Sequence, residues 1–478
     1  MKGKIIPNRW VIHKLGNVCN IYQPKTISKN NLVPKGQFLV YGANGVIGRF
    51  DEFNHVDSEI LVTCRGATCG TVNVSEPYSW INGNAMVIQP KIDQLTKPFI
   101  RYFFESINLS KVITGSAQPQ ITRTSISPLD FPIPPVPEQH LIVTKIEELF
   151  SELDNAVTNL KKVKAQLKVY RQSVLKWAFE GRLTEEWRKN NKTEPIESFI
   201  ERISEEKECK YNKQLEVWDD TVNEWEKGGR QGKRPNKPSK ISEIQELSKE
   251  ELSGLEQIPN NWIWVRLGEL TWSVKDGPHY SPKYEDEGIP FISGGNVRPE
   301  GVNFENTKYI STDLHYELSK RCIPEYGDIL YTKGGTTGIA RVNTYKIDFN
   351  VWVHVAVLKI TKSIYPFYLQ NVLNSPFCYR QSQKYTHGVG NQDLGLTRMV
   401  NIILPLCCIE EQHQIVKEIE NRISVADNLE ITIDQSLKQS EALRQSILKR
   451  AFEGKLVPQD PNDEPAEVLL ESIKHNQQ

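Results

Sequence analysis

The residues able to do chemistry in this chain sit in glycine-punctuated loops. Within residues 1–137, Tyr41, Asn44, Arg49, Arg65, Gln118, Gln120 and Arg123 gather donors, acceptors and an aromatic face. Within residues 258–410, Lys275, His279, Tyr280, Lys283, Asn296, Arg298, Lys333, Asn391 and Gln392 do the same. Arginine and lysine fork onto guanine, asparagine and glutamine onto adenine, at base edges in the major groove of DNA. Polar side chains beside glycine are also ordinary turn formers. Each position is therefore a candidate as one of a set, not alone.

Catalytic machinery is what the sequence lacks. The stretch Lys333-Gly334-Gly335-Thr336-Thr337-Gly338 has no lysine behind its last glycine, so it is not a phosphate-binding G-x-x-x-x-G-K-[ST] loop. No N-P-P-[FY] amino-methyltransferase motif occurs. His140 and His413 lie at expected helix starts, where solvated or capping roles are commoner than ligation. The eight cysteines show no C-x-x-C pair, which predicts reduced thiols rather than a zinc site or a disulfide framework. The expectation is a chain that is not an enzyme and holds no metal or cofactor of its own.

Stepping from loops to the elements that carry them, 478 residues fit two to four domains. Lys+Arg and Asp+Glu balance at 59 each, which argues against coating DNA by bulk charge and allows local reading of base edges. No apolar run reaches the length of a membrane span. The first residues, Met1-Lys2-Gly3-Lys4, lead into no apolar core, so no secretory signal is expected and the chain is predicted to be cytoplasmic.

The second half repeats the first. Glu138-Gln139-His140 returns as Glu411-Gln412-His413, and Leu175 to Leu183 (LKWAFEGRL) as Leu448 to Leu456 (LKRAFEGKL). Glu138 to Glu411 and Gly181 to Gly454 are the same distance apart, so no gap enters between these anchors, as a rigid helix requires. Weaker echoes lie upstream. Ile6-Pro7-Asn8-Arg9-Trp10 answers Ile258-Pro259-Asn260-Asn261-Trp262, and Glu59 to Thr63 with Gly66 answers Asp328 to Thr332 with Gly335. Elsewhere the halves diverge, giving variable region, constant helix, variable region, constant helix.

From Ile142 the apolar positions run Ile142, Ile146, Leu149, Leu153, Ala156, Leu160, Val163, Leu167, Tyr170, Val174 and Trp177, steps of four and three that spell a coiled coil. Prolines 134, 135 and 137 mark the start, and Gly181 the stop. The second copy keeps the register through Ile415, Ile419, Leu429, Ile433, Leu443 and Ile447, with Arg422, Ser436, Ser440 and Arg450 interrupting it. The predicted fold is α/β (α+β): two mixed domains separated by two long antiparallel coiled-coil helices, related by an internal pseudo-twofold repeat. Its segments are a first variable domain at 1–137, a helix at 138–183, a linker at 184–257, a second variable domain at 258–410, a helix at 411–457 and a tail at 458–478. The linker is rich in Glu and Lys, carries Trp187, Trp218, Trp225 and the basic stretch from Arg230 to Arg234, and is expected to be largely mobile. Glu194-Pro195-Ile196-Glu197, echoed by Glu464-Pro465-Ala466-Glu467, ties part of it to the repeat.

These residues resemble the specificity subunits of type I restriction-modification systems over nearly the whole chain. The most specific element is Pro134-Pro135-Val136-Pro137-Glu138-Gln139, followed by a heptad helix that ends in Ala178-Phe179-Glu180-Gly181-Arg182-Leu183. In the second copy Cys407-Cys408 replace the paired prolines, while Glu411-Gln412 and Ala451 to Leu456 stand intact. A basic residue in a Gly/Thr-rich turn, at Arg65-Gly66-Ala67-Thr68 and at Lys333-Gly334-Gly335-Thr336, is similar to a turn of the family's target-recognition domains. The resemblance implies a non-catalytic reader of a bipartite double-stranded DNA site. It also implies two methyltransferase subunits docked on the helices and restriction subunits joining them, with S-adenosylmethionine, ATP and Mg2+ bound by those partners. A protein-only coiled-coil adaptor is the rival reading. It explains the helices but not two divergent domains of similar size.

Overall fold

The computed structural model describes residues 6–115, 118–238, 244–388 and 392–475. Two compact units emerge, one made of the chain up to Val163 together with Thr432 onward, the other of Lys164–Ile431. The boundary falls inside both long helices, Val136–Phe179 and Ile409–Ala451. Each unit therefore holds one variable region and a stretch of each helix.

Among the described residues the first unit has nine strands: β1 (Val11–Lys14), β2 (Cys19–Tyr22), β3 (Phe38–Gly42), β4 (Gly45–Phe50), β5 (Ile60–Thr63), β6 (Val72–Val74), β7 (Trp80–Ile81), β8 (Ala85–Pro90) and β9 (Asp130–Ile133). They form an antiparallel sheet ordered β2-β8-β5-β6, a second sheet β4-β3-β7 and the pair β1-β9. The central strand β5 is an unbroken apolar run because both of its faces are covered. Ile60 and Val62 point into the main core, and Leu61 packs on the other side with Tyr41, Ile81 and Val87. The helix Lys97–Ser106 buries Phe99 and Phe103 in that core. Their rings lie 5.0 and 5.7 Å from that of Phe452, which joins the head to the end of the second long helix.

The second unit repeats this plan strand for strand. Its strands are β10 (Ile263–Arg266), β11 (Thr271–Asp276), β12 (Ile289–Ile292), β13 (Val297–Arg298), β14 (Gly301–Val302), β15 (Lys308–Ile310), β16 (Ile329–Thr332), β17 (Ala340–Val342), β18 (Asn350–Val351), β19 (Val355–Ile360) and β20 (Ile403–Leu406). The order β11-β19-β16-β17 reproduces β2-β8-β5-β6, β15-β12-β18 reproduces β4-β3-β7, and β10-β20 reproduces β1-β9, with the hairpin β13-β14 added. Even the parallel pairing recurs, β3 with β7 and β12 with β18.

The constant motifs are the joints between head and helix. Trp10 Nε1 donates to Glu138 at 2.9 Å, and Trp262 Nε1 donates to Glu411 at 2.9 Å. Gln139 accepts from the Thr96 amide and donates to the Pro134 carbonyl; Gln412 accepts from Tyr365 and donates to Cys407. Both helices end on a left-handed glycine, Gly181 at φ +74° and Gly454 at φ +68°. A Cβ on either would strike the ring of Pro259 or Pro7, so the A-F-x-G and I-P-N motifs are in contact.

Within each unit the helix stretches run antiparallel. In the first, Arg444 pairs with Asp154 and lies 4.1 Å over the Phe150 ring; in the second, Arg171 reaches Asp427 at 2.6 Å and Glu430 at 2.8 Å. The seam expected along the second helix needs correction. Ile415, Ile419, Ala426, Ile433 and Ile447 are buried, whereas Leu429 and Leu443 stay about half exposed. Ala426 closes the seam where Leu429 was expected. The linker also differs from a mobile one. Ile196–Lys227 is a helix whose Ile196, Phe199 and Ile203 enter the core of the second unit. That apolar stripe is hidden in sequence by the surrounding Glu and Lys. Among the described residues no helix is long and apolar enough to cross a membrane.

Candidate nucleic-acid interface

In each head, the turn after the central strand is held by the segment that leads into the last strand. In the first head, Ile121 donates its amide to the Cys64 carbonyl and Gly66 to that of Pro119, and Thr114 and Gln120 exchange a backbone pair at 2.9 and 2.8 Å. In the second, Leu394 donates to Lys333 and Gly335 to Gln392, and His387 and Asp393 exchange the pair at 3.0 and 2.9 Å. Thr114, Pro119, Gln120 and Ile121 map to His387, Gln392, Asp393 and Leu394 by the offset that relates Glu138 to Glu411. Each turn uses left-handed glycines, Gly66 and Gly70 in one, Gly335 and Gly338 in the other.

Close approach fixes the second platform. A Cβ on Gly334 would lie 2.3 Å from His354 Cδ2, and one on Gly277 would lie 1.7 Å from the Val351 carbonyl oxygen. The loops 276–283, 333–338 and 352–354, with His387, Gln392 and Asp393, therefore form one packed surface, with the predicted Lys275, His279, Tyr280 and Lys283 exposed along it. Trp352 Nε1 donates to the Tyr280 carbonyl and fixes that loop while leaving the Tyr280 ring outside. Lys283 is 86% exposed beside Glu285. Arg298 is exposed on the β13–β14 hairpin, and Gln392 is exposed beside Gly335. Asn391 lies outside the described residues. Around the first platform, Arg65, Gln118 and Arg123 are exposed and Gln120 is half-buried. Asn44, at the tip of the β3–β4 turn, sits next to Ala43, whose carbonyl accepts from the Thr63 hydroxyl at the end of β5.

Three predicted residues, Tyr41, Asn296 and Lys333, are taken up by the fold, and a fourth, Arg49, is tied to the backbone by one nitrogen while staying exposed. Tyr41 is buried, and its hydroxyl accepts the Glu76 amide at 3.0 Å. Arg49 donates to the carbonyls of Gly36 and Gln37. Asn296 spends its amide oxygen on Ser293 and its NH2 on the Asn303 carbonyl. Lys333 is buried rather than offered to a ligand: its Nζ lies 2.7 Å from Asp393, 3.4 Å from Asp276 and 3.1 Å from the Val353 carbonyl.

Lys333 is also not the counterpart of Arg65. Strand pairing aligns it with Cys64, and aligns Asp276 with Gln23. In the first head Gln23 Nε2 donates to Cys64 Sγ at 2.9 Å, a neutral pair where the second has an ion pair. Arg321 completes the charged version, 2.7 Å from Asp276, and His279 approaches the same carboxylate at 3.3 Å. Burial and the nearby Lys333 ammonium push the His354 pKa below its ordinary value, and burial raises that of the Cys64 thiol. Sequence reading missed Gln23, Asp276, Arg321 and Asp393. The signal was present: extending the offset upstream shows Gln120 becoming Asp393 in the head where Cys64 becomes Lys333.

Residues 7–168 and 259–439 match the family described as type I restriction modification DNA specificity domain, and the chain belongs to that family. The specificity subunit of the type I restriction enzyme EcoBI from Escherichia coli is 27% identical over 460 residues, spanning 92% of this chain and 81% of that one. The EcoDI specificity subunit, also from Escherichia coli, is 22% identical over 497 residues, spanning 99% and 96%. The crystal structure of the HsdS subunit from Thermoanaerobacter tengcongensis superposes with a TM-score of 0.55 at 16% identity, over 94% of this chain and 98% of that one, a likeness of fold. The chain's role is DNA specificity, carried by two copies of one domain, and the protein-only adaptor reading is not favoured.

Proposed function

We propose that each head reads one half of a bipartite duplex site, and that the chain brings two methyltransferase subunits, docked along the long helices, to that site. Restriction subunits join the assembly, and S-adenosylmethionine, ATP and Mg2+ are held by those partners in the cytoplasm, while this chain performs no chemical step. The observation that carries the reading is the duplicated platform: the same backbone bonds hold two loop sets whose exposed side chains differ. Asn44, Arg65, Gln118, Gln120 and Arg123 are the base-edge and phosphate candidates of the first head. Lys275, His279, Tyr280, Lys283, Arg298, Asn391 and Gln392 are those of the second. Half-sites approached from one face of the duplex lie about one helical turn, ~34 Å, apart.

The test exchanges residues 258–410 for the same region of another such subunit and maps modified bases in host DNA. One half of the methylated site is expected to change while the other stays. A change in both halves, or in neither, would overturn the modular reading. Within one head, Arg65→Ala is expected to weaken binding by about 1–3 kcal/mol if Arg65 forks onto a base, and to relax selectivity at a single position of that half-site.

A further inference from the structure

The second unit carries a groove at the end of the main sheet opposite the loops. β11 pairs with β19 through a register shift between Thr271 and Ser273, and Trp272 is the extra residue that the shift turns outward. The corresponding pairing of β2 with β8 runs without a shift. Over Trp272 lies the linker helix Ile196–Lys227. Its first turns correspond to the helix Ala466–His475 in the tail. The first head is built without this bulge, so the bulge is not needed to make the fold.

Trp272, Lys210, Lys213, Lys362, Cys209 and Thr361 line a cavity of about 240 Å3. Through Lys210, Lys213 and Trp272 it continues into a more open hollow of about 560 Å3 that reaches Trp218 and Pro235. Two indoles face it, with the Lys210 ammonium 5.1 Å from the Trp272 ring and that of Lys237 5.7 Å from Trp218. The buried Thr361 hydroxyl has no hydrogen-bond partner. Acid is sorted away from the groove. Glu205, Glu208, Glu216, Asp219 and Asp220 are not among its lining residues, and Glu206, which is, is engaged by the Lys362 amide and the Ser363 hydroxyl. Lys210 and Lys213, neighbours on one helix face, have no carboxylate partner among the described residues, so a bound anion would relieve their repulsion.

We propose that this groove binds single-stranded nucleic acid, with bases on Trp272 and Trp218, phosphates on Lys210 and Lys213, and the Thr361 hydroxyl donating to the strand. Alternating aromatic platforms and cations suit a strand without sequence preference. The helix from Glu206 to Thr221 runs ~22 Å, longer than one nucleotide fills. The assignment does not depend on how the heads read duplex DNA.

The experiment titrates the full chain with fluorescein-labelled oligo(dT) of twelve nucleotides, following anisotropy and tryptophan quenching, with dTMP and poly-glutamate as separate arms. Saturable binding is expected, weakened about tenfold or more by W272F and by the double change K210E/K213E. Removing two phosphate contacts should also flatten the slope of log affinity against log salt by about 1.4. Duplex binding at the recognised site should be unchanged in both variants. Tighter capture of the oligonucleotide than of dTMP assigns a strand, equal capture assigns a free nucleotide, and either upholds the site. No saturation, binding that survives K210E/K213E, or poly-glutamate binding as tightly as oligonucleotide would each overturn it.

Discussion

Lys333 and Cys64 occupy one position in two copies of the same loop, yet one carries a buried ammonium and the other a buried thiol. A buried charge is tolerable only with its partners in place, and Lys333 has Asp276, Asp393 and the Val353 carbonyl. Lys333→Met should therefore cost the second unit about 1.5–3 kcal/mol, because the Val353 carbonyl and Asp276 lose a charged hydrogen-bond partner while Arg321 stays on the Asp276 carboxylate. The first head shows that a neutral pair packs at the same place, so Lys333→Cys combined with Asp276→Gln should recover most of that loss. Urea unfolding of the single and double variants measures the coupling; a double variant as unstable as the sum of its parts would refute the equivalence. Sequence reading chose Lys333 for its residue type and could not see that a lysine after a buried strand need not reach solvent. Tyr41 and Asn296 mislead in the same way, since their polar atoms are engaged by the turns they decorate. Arg65 and Lys275, by contrast, stay exposed.

At the scale of elements, the repeat's most recognisable letters do mechanical work. The glutamate of each E-Q motif accepts an indole N–H from the start of its own head, which fixes where the helix begins. The two glutamates are not equally burdened. Glu411 also accepts from the Thr184 hydroxyl, from Asn261 and from the Arg188 guanidinium, whereas Glu138 accepts from Trp10 and keeps one buried oxygen unpartnered. Burial raises the Glu138 pKa, most of all through lost solvation. Glu411→Ala should thus destabilise its unit by about 3–5 kcal/mol, stranding a buried cation, and Glu138→Ala by about 1–2 kcal/mol, stranding one indole N–H. Equal losses in chemical denaturation would mean that the Arg188 contact contributes nothing. These helices were legible because heptads and terminal glycines are local signals. The strand-for-strand repeat of the heads was not, because pairing partners lie far apart in sequence and only short echoes such as Ile60-Leu61-Val62 survive. The linker helix escaped because Glu197, Ser198, Glu201 and Arg202 alternate with its apolar residues and a long charged run follows Ile203.

For the molecule as a whole, the proposed reading turns helix length into a ruler. An α-helix rises ~1.5 Å per residue and duplex DNA ~3.4 Å per base pair, so seven residues correspond to about three base pairs. Seven is also the repeat of the seam, so a heptad inserted in both helices keeps every apolar position in phase. The insertion belongs between Asp154 and Arg171 in the first helix and between Asp427 and Arg444 in the second. There it leaves the Asp154–Arg444 and Arg171–Asp427 pairs intact, each within its own unit. Mapping modified bases with such a variant should show methylation lost at the original spacing, because three base pairs would turn one half-site by about 100° while a heptad turns a head by only about 20°. A heptad placed in one helix alone is expected to lower stability and abolish methylation. A variant lengthened on both sides that still methylates the original spacing would show that something other than these helices sets the distance between the heads.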